Sequence, residues 1–312
     1  MKKQNLATTI GILALIALVA AAWAAEKYVE PFSKTESLAK DGRVTIRNLS
    51  GTLDVRGWDQ DQVKIEAEKI SNASSLEKAK ANAALVTIEV VKEGSNLKVE
   101  TKYPEGRNRD LNVSVNYKIW VPERAAVKLR NVSGTVNVEA IGGPFEAEVT
   151  SGSATVAKMA GPVDFRTVSG RITVRDVAND IDLKTVSGNI EASQIKGSVG
   201  AETTSGRIEL RDVSGAKTVR AKVLSGNIVY EGQLAPGARI TLEALSGGLE
   251  LTLPANAAFE LNAETFSGHV DSEFPITMSG KISPKELRGV VNNGGATLRL
   301  KTFSGSIHIK KK

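Results

Sequence analysis

The 312-residue chain contains no cysteine. That excludes disulfide bonds, and it excludes a lipoprotein anchor, which needs a thiol at its cleavage site. Packing and hydrogen bonds alone must hold the fold. Aromatic residues make up only 4%, so the surface has few stacking platforms for bases or sugars. Charge of one sign is also scarce. Forty-one basic and 35 acidic residues leave a net +6, with a Lys310-Lys311-Lys312 tail. This balance permits weak attraction to anionic envelope polymers but falls short of a nucleic-acid signature.

One long apolar run is present. It extends from Leu6 to Ala22, broken only by Thr8, Thr9 and Gly11, and it follows the basic pair Lys2-Lys3. Ala22-Trp23-Ala24 fits the small-x-small rule of signal peptidase, so residues 1–24 read as a signal peptide cut between Ala24 and Ala25. The chain is then expected to be exported, whether periplasmic, on the cell surface or secreted, with a mature net charge of +4. If uncut, the same run approaches the ~20 residues that span a bilayer, and membrane contact would come only through it.

The rest of the chain is repetitive. Ser-Gly pairs in one phase occur at Ser50-Gly51, Ser133-Gly134, Ser151-Gly152, Ser169-Gly170, Ser187-Gly188, Ser205-Gly206, Ser225-Gly226, Ser246-Gly247, Ser267-Gly268 and Ser304-Gly305. From Gly134 the glycines are spaced by 18, 18, 18, 18, 20, 21, 21 and 37 residues. With glycine as position zero, +2 holds Ile172, Ile190, Ile208, Ile228, Leu249, Val270 and Ile307. Position −7 holds Val163, Ile181, Val199, Val219, Ile240, Leu261 and Leu298. Positions +4 and −5 are mostly apolar as well. Apolar residues on alternate positions mark strands with one face inward.

Each repeat therefore reads as strand, Ser-Gly corner, strand and second corner, the latter near Gly161, Asn179, Gly197 and Gly215. Glycine suits a corner that needs positive φ, specifically a left-handed one, and serine bonds nearby backbone. Thr167, Thr185, Thr203, Thr265 and Thr302 recur at −3 as an expected hydroxyl ladder. Arg166, Lys184, Glu202, Lys222, Glu243, Glu264 and Lys301 at −4 form a solvated row that would pair across strands if coils stack in register. A lone coil cannot offset its ordering entropy, so coils must stack and the ends must be capped.

Hexapeptide solenoids need an aliphatic residue every sixth position, and counting sixes from Val174 lands on Asp180. Calcium β-rolls need G-G-x-G-x-D turns, whereas these read S-G-R-I or S-G-N-I. An all-β parallel solenoid (β-helix) remains, with two strands per coil of about 18–21 residues. An antiparallel meander explains the turns but not why mostly every second one is Ser-Gly.

V-T-I-R-N-L-S-G-T-L-D-V-R-G-W-D at 44–59, the tandem T-x-S-G-x-I-x-V repeats and G-G-A-T-L-R-L-K-T-F-S-G-S-I-H-I at 294–309 resemble the bacterial putative-adhesin family, a domain of unknown function in envelope proteins. The likeness covers nearly all of 43–312. It implies a β-solenoid and an exported or surface location, and it implies no activity or catalytic residues.

The expected organisation is a signal peptide at 1–24, a first coil with an N-terminal capping excursion over 25–121, and solenoid repeats over 122–312. Within the excursion the pattern predicts strands at Gln62–Lys69, Val86–Lys92, Asn96–Lys102 and Leu111–Val121, with a helix over Ser74–Leu85 capped by Ser74 or Ser75. Residues 274–295 interrupt the last repeats as a cap or as a protruding loop suited to recognition.

Chemistry is sparse. His269 and His308, at +1 and +3, read as isolated surface residues, and no metal ligands or cofactor are assigned. Asp59-Gln60-Asp61 lacks the glutamate of a calcium loop. Asp164, Arg166, Asp176, Asp180 and Asp182 could mimic a polysaccharide-lyase groove but read as surface. No serine lies in G-x-S-x-G. The expected function is a non-enzymatic adhesin-like or scaffold module of the cell envelope. Its partner would be an unidentified envelope or surface component, polysaccharide or protein, and not nucleic acid. The alternatives are a polysaccharide-active enzyme and an accessory or sensor protein of an envelope-stress system.

Overall fold

The structure, a computed structural model, describes residues 25–106, 111–278 and 283–312. The expected signal peptide, residues 1–24 with Ala24, lies outside the described residues, as do residues 279–282 of the interruption near the C-terminus. Two long sheets, of 13 and 14 strands, face each other across one continuous apolar core. Each repeat gives the 14-stranded sheet the strand before its Ser-Gly pair and the 13-stranded sheet the strand after it. Val163–Ser169 and Ile172–Val177 form one such coil, followed by Ile181–Ser187 and Ile190–Ile195.

Coils stack parallel and in register. Val163 lies beside Ile181 and Ile172 beside Ile190, each pair 18 residues apart. The −7, −5, +2 and +4 columns point inward and are nearly all buried, whereas −6, −4 and −2 face out. The −3 threonines are buried as well. Their hydroxyls reach backbone carbonyls rather than one another: Thr302 Oγ1 donates to Gly247 O at 2.8 Å and Thr265 Oγ1 to Gly305 O at 2.8 Å. Thr185 Oγ1 has no partner.

The glycine corner differs from the left-handed turn expected. Gly170 and Gly206 have φ of 132° and 144°, in the mirror-β region open only to glycine. Gly188 is not among the glycines with positive φ. It is required by close approach instead: a Cβ there would lie 1.8 Å from the carbonyl oxygen of Gly170. The left-handed residue sits six positions later, where Ala140, Lys158, Asp176, Gln194 and Asp212 have φ of 50–61°. Five successive coils thus hold a non-glycine residue in a conformation costing ~1–2 kcal/mol, stabilised by the stacked strands on either side.

Both ends depart from sequential stacking. At the C-terminal end the last repeat, Ala296–Ser304 and Ile307–Lys311, is wedged between the coil of Arg239–Ser246 and Leu249–Leu253 and the outer coil of Phe259–Ser267 and Val270–Ser272. The connecting segment doubles back, and Glu286–Val291 runs antiparallel along the outer strand. The described part of 274–295 is therefore a cap: Phe274 is buried edge-on against Phe259, with ring centroids 5.2 Å apart.

At the N-terminal end the first repeat, Arg43–Ser50 and Leu53–Trp58, is covered by a coil made of Asn96–Lys102 and Val113–Pro122. That coil is closed by antiparallel Thr87–Glu93 on one sheet and by Gln62–Ala73 and Glu26–Ser37 on the other. Glu26–Ser37 carried no strand assignment in the sequence. The helix Leu76–Ala84 is capped by Ser75, whose Oγ accepts from Lys78 N. Lys69 Nζ reaches the carbonyls of Ala83 and Val86 at the end of this helix and pairs with Glu30 at 2.6 Å. A cation there complements the helix dipole.

Candidate functional site: an exposed apolar ridge

In the repeated T-V-S-G the threonine faces the core, so strand alternation turns the next residue outward. A polar residue is expected at such a position. Instead the −2 column holds Leu49, Val132, Thr150, Val168, Val186, Thr204, Leu224, Leu245, Phe303 and Phe266 in stacking order. The eight apolar members are 43–65% exposed. Only four other large hydrophobic side chains among the described residues are exposed, at 40–47%, so the apolar surface is concentrated on this one edge rather than scattered. Scattered singletons would need no explanation, whereas a contiguous patch marks an interaction site.

Register makes the column a ridge. Ser50, Ser133, Ser151, Ser169, Ser187, Ser205, Ser225, Ser246, Ser304 and Ser267 stand beside one another in turn. The −2 residues before them therefore lie one strand apart. Nine spacings of ~4.8 Å give a line roughly 43 Å long and one residue wide. Its C-terminal end is aromatic: Phe266 and Phe303 stack at 4.7 Å between centroids with planes 5° apart.

Polar rows flank it. On one side lies the −4 row, extended by Arg47, Arg130 and Glu148 to alternate in sign along much of its length. Arg130 pairs with Glu148 at 3.0 Å and Lys301 with Glu264 at 2.7 Å. Arg166 and Lys184 turn instead to Asp164 and Asp182 on their own strands. Lys301, bonded to Glu264, holds that carboxyl below its usual range. On the other side, corner asparagines bond between coils: Asn189 Oδ1 accepts from Arg207 N and Asn227 Oδ1 from Gly248 N.

The residues considered for a lyase groove do not converge. Asp164 and Asp182 are engaged in the ion pairs above, Asp180 Oδ1 accepts from Ser198 N at the second corner, and Asp176 lies on the opposite sheet. Asp59 and Asp61 lie 3.9 Å from Lys40. A concavity of about 800 Å³ on the 13-stranded sheet is lined by Arg56, Trp120, Glu139 and Lys158 among others. Lys158 and Arg56 both bond Glu139 and hold its carboxyl low, which suits a fixed charge and not a proton donor. His269 and His308 are not isolated, contrary to the sequence reading. Strand order brings the rings edge to face, 5.4 Å between centroids.

The fold and this edge define a class: a two-sheet parallel β-solenoid whose corner presents a continuous apolar line. The chain belongs to the Toastrack DUF4097 family, whose family model matches residues 42–310. This is a domain of unknown function, consistent with the adhesin-like resemblance of its repeats. No curated protein matches significantly in sequence. Among solved structures, the chain is similar to a putative adhesin from Bacteroides fragilis (12% identity, TM-score 0.41, covering 90% of this chain and 97% of that one). It is similar to a putative lipid binding protein from Parabacteroides distasonis (12%, 0.36, 90% and 97%). It is also similar to a putative cell adhesion protein from Clostridium sporogenes (12%, 0.23, 91% and 100%). At these values the likenesses carry no argument about ligands.

Proposed function

We propose that this chain is a non-enzymatic, exported, adhesin-like scaffold of the bacterial envelope that binds a surface protein along its apolar corner ridge. The observation that carries this reading is the eight exposed aliphatic and aromatic side chains in register at −2. Exposed aliphatic groups gain only against apolar surface. Sugars stack on aromatic rings, and two of the ten ridge residues are aromatic, both at one end. The adjacent row interleaves four glutamates, Glu148, Glu202, Glu243 and Glu264, with six basic residues, so it is not the uniformly basic face that an anionic lipid surface selects. A mixed-sign row beside an apolar line suits a protein partner with a complementary pattern.

Half-exposed side chains of this kind gain ~1 kcal/mol each on full burial, so eight supply about 8 kcal/mol. Association costs ~4–15 kcal/mol. The ridge alone thus gives weak binding, and firm attachment requires many copies acting together, as adhesion does. The test is co-sedimentation of the purified chain with isolated cell walls and outer-membrane vesicles, before and after protease treatment. Val168, Val186, Leu224 and Leu245 are replaced together by threonine, the residue already present at 150 and 204. Saturable binding that protease removes and the threonine variant loses is expected. Binding that survives protease identifies a glycan or lipid partner, and an unaffected variant removes the ridge from the account.

A further inference from the structure

We infer that the C-terminal edge of the 13-stranded sheet carries a transition-metal site formed by His269, Asp271 and His308. Among the described residues Val270–Ser272 is the last strand of that sheet and pairs with Ile307–Lys311. Asp271 stands directly beside His308, and His269 precedes the strand on the same coil. His269 Nε2 lies 3.0 Å and His308 Nδ1 3.4 Å from a single oxygen, Asp271 Oδ2, and the three ligand atoms lie within 4.8 Å of one another. Ligand atoms of a tetrahedral zinc ion, each ~2.0–2.1 Å from the metal, are themselves about 3.3 Å apart. The existing spacing therefore needs only a small adjustment to admit an ion among them.

The surroundings suit this chemistry. Ser306 Oγ lies 3.0 Å from His269 Nδ1. A hydrogen bond donated by Nδ1–H fixes the tautomer that leaves Nε2 as the ligand, the outer-shell arrangement common to metal-bound histidines. All three ligands are accessible to solvent, so a further position stays open for water or a partner's side chain. Two imidazoles and one carboxylate select Zn²⁺ or Cu²⁺ over Ca²⁺, which requires six or more oxygens. A bound ion would join the outermost coil to its neighbour, fastening an edge held by a strand of only three residues.

The test uses the untagged full chain and Zn²⁺. His269 and His308 are the only histidines in the sequence, so imidazole NMR resonances report the site without background. Both resonances should shift together and saturate at one Zn²⁺ per chain, with Ca²⁺ producing no shift. Calorimetry should show affinity at least tenfold lower in His308→Ala and in Asp271→Asn, and roughly tenfold lower in Ser306→Ala, which keeps all three ligands. None of these positions is buried, and circular dichroism without metal checks that each variant is folded. Independent shifts of the two imidazoles, absence of saturation, or unchanged affinity in the variants would overturn the site.

Discussion

Replacing Gly188 by alanine separates the two reasons a glycine can recur at a corner. Gly188 lacks the positive φ of the equivalent glycines, so any cost comes from space. The new Cβ would lie 1.8 Å from Gly170 O and 2.8 Å from its carbonyl carbon. Both obstructing atoms are backbone and cannot swing aside. Restoring an ordinary contact of 3.4 Å requires a separation of at least about 1.6 Å more between the coils, against a strand spacing of ~4.8 Å. The strained bonds are those joining these two coils beside the corner, Gly170 N to Ser187 O at 3.0 Å and Ile172 N to Asn189 O at 2.9 Å. Two hydrogen bonds at ~1 kcal/mol each and overpacking at ~1–3 kcal/mol give a loss of about 3–5 kcal/mol. At ~2–4 °C per kcal/mol, Tm should fall by roughly 6–20 °C. Gly94 supplies the control: its φ is +59° with nothing within 4 Å, so Gly94→Ala should lose only the ~1–2 kcal/mol of a left-handed residue. Urea unfolding of both variants and the parent decides the matter. A Gly188→Ala variant no less stable than Gly94→Ala would refute close approach as the reason for the repeated glycine.

The buried threonines give a paired prediction. Thr302→Val removes a 2.8 Å bond to Gly247 O and should cost about 1 kcal/mol, whereas Thr185→Val removes an unpartnered hydroxyl and should be neutral or stabilising in the same unfolding assay. Acid should also weaken the fold. Hydrogen bonds from Lys98, Lys158, Lys128, Lys312 and Lys301 hold Glu100, Glu139, Glu146, Glu231 and Glu264 below the usual carboxylate range. Their contribution is present above the unfolded value of ~4.3 and is lost as pH falls through the lower folded values, so a Tm that stays flat from pH 6 to below 4 would contradict it. Burial pushes Tyr103 and Tyr117 up to about 12. The unfolded chain ionises near ~10, so stability should decline as pH rises from about 10 to 12, and phenolate absorbance should appear only with unfolding.

The coil was legible because one short unit recurs with fixed parity: Val163, Ile181 and Val199 share a column in sequence and in the sheet. The strand order at the ends was not, since spacing along the chain does not set which coil lies beside which. One trace of it existed. Sequential stacking would set Glu243 beside Glu264, a like-charge pair, and the wedged strand places Lys301 between them. The same reordering joins His269 to His308, so that pairing could not be read before the topology. The ridge could have been. Val168 and Val186 are apolar at a position that parity assigns to solvent. The left-handed residues at +6 left only a faint mark: Asp176 and Asp212 are of a type that favours that conformation, whereas Ala140, Lys158 and Gln194 are not.

The salt dependence of binding to envelope protein, compared between the parent chain and the four-threonine ridge variant, tests the central claim most directly. Apolar contact predicts parental affinity that holds or rises between low and high salt, and a variant that is weak throughout. Parental binding that collapses with salt, together with a variant that behaves identically, would assign attachment to the basic residues and contradict the ridge.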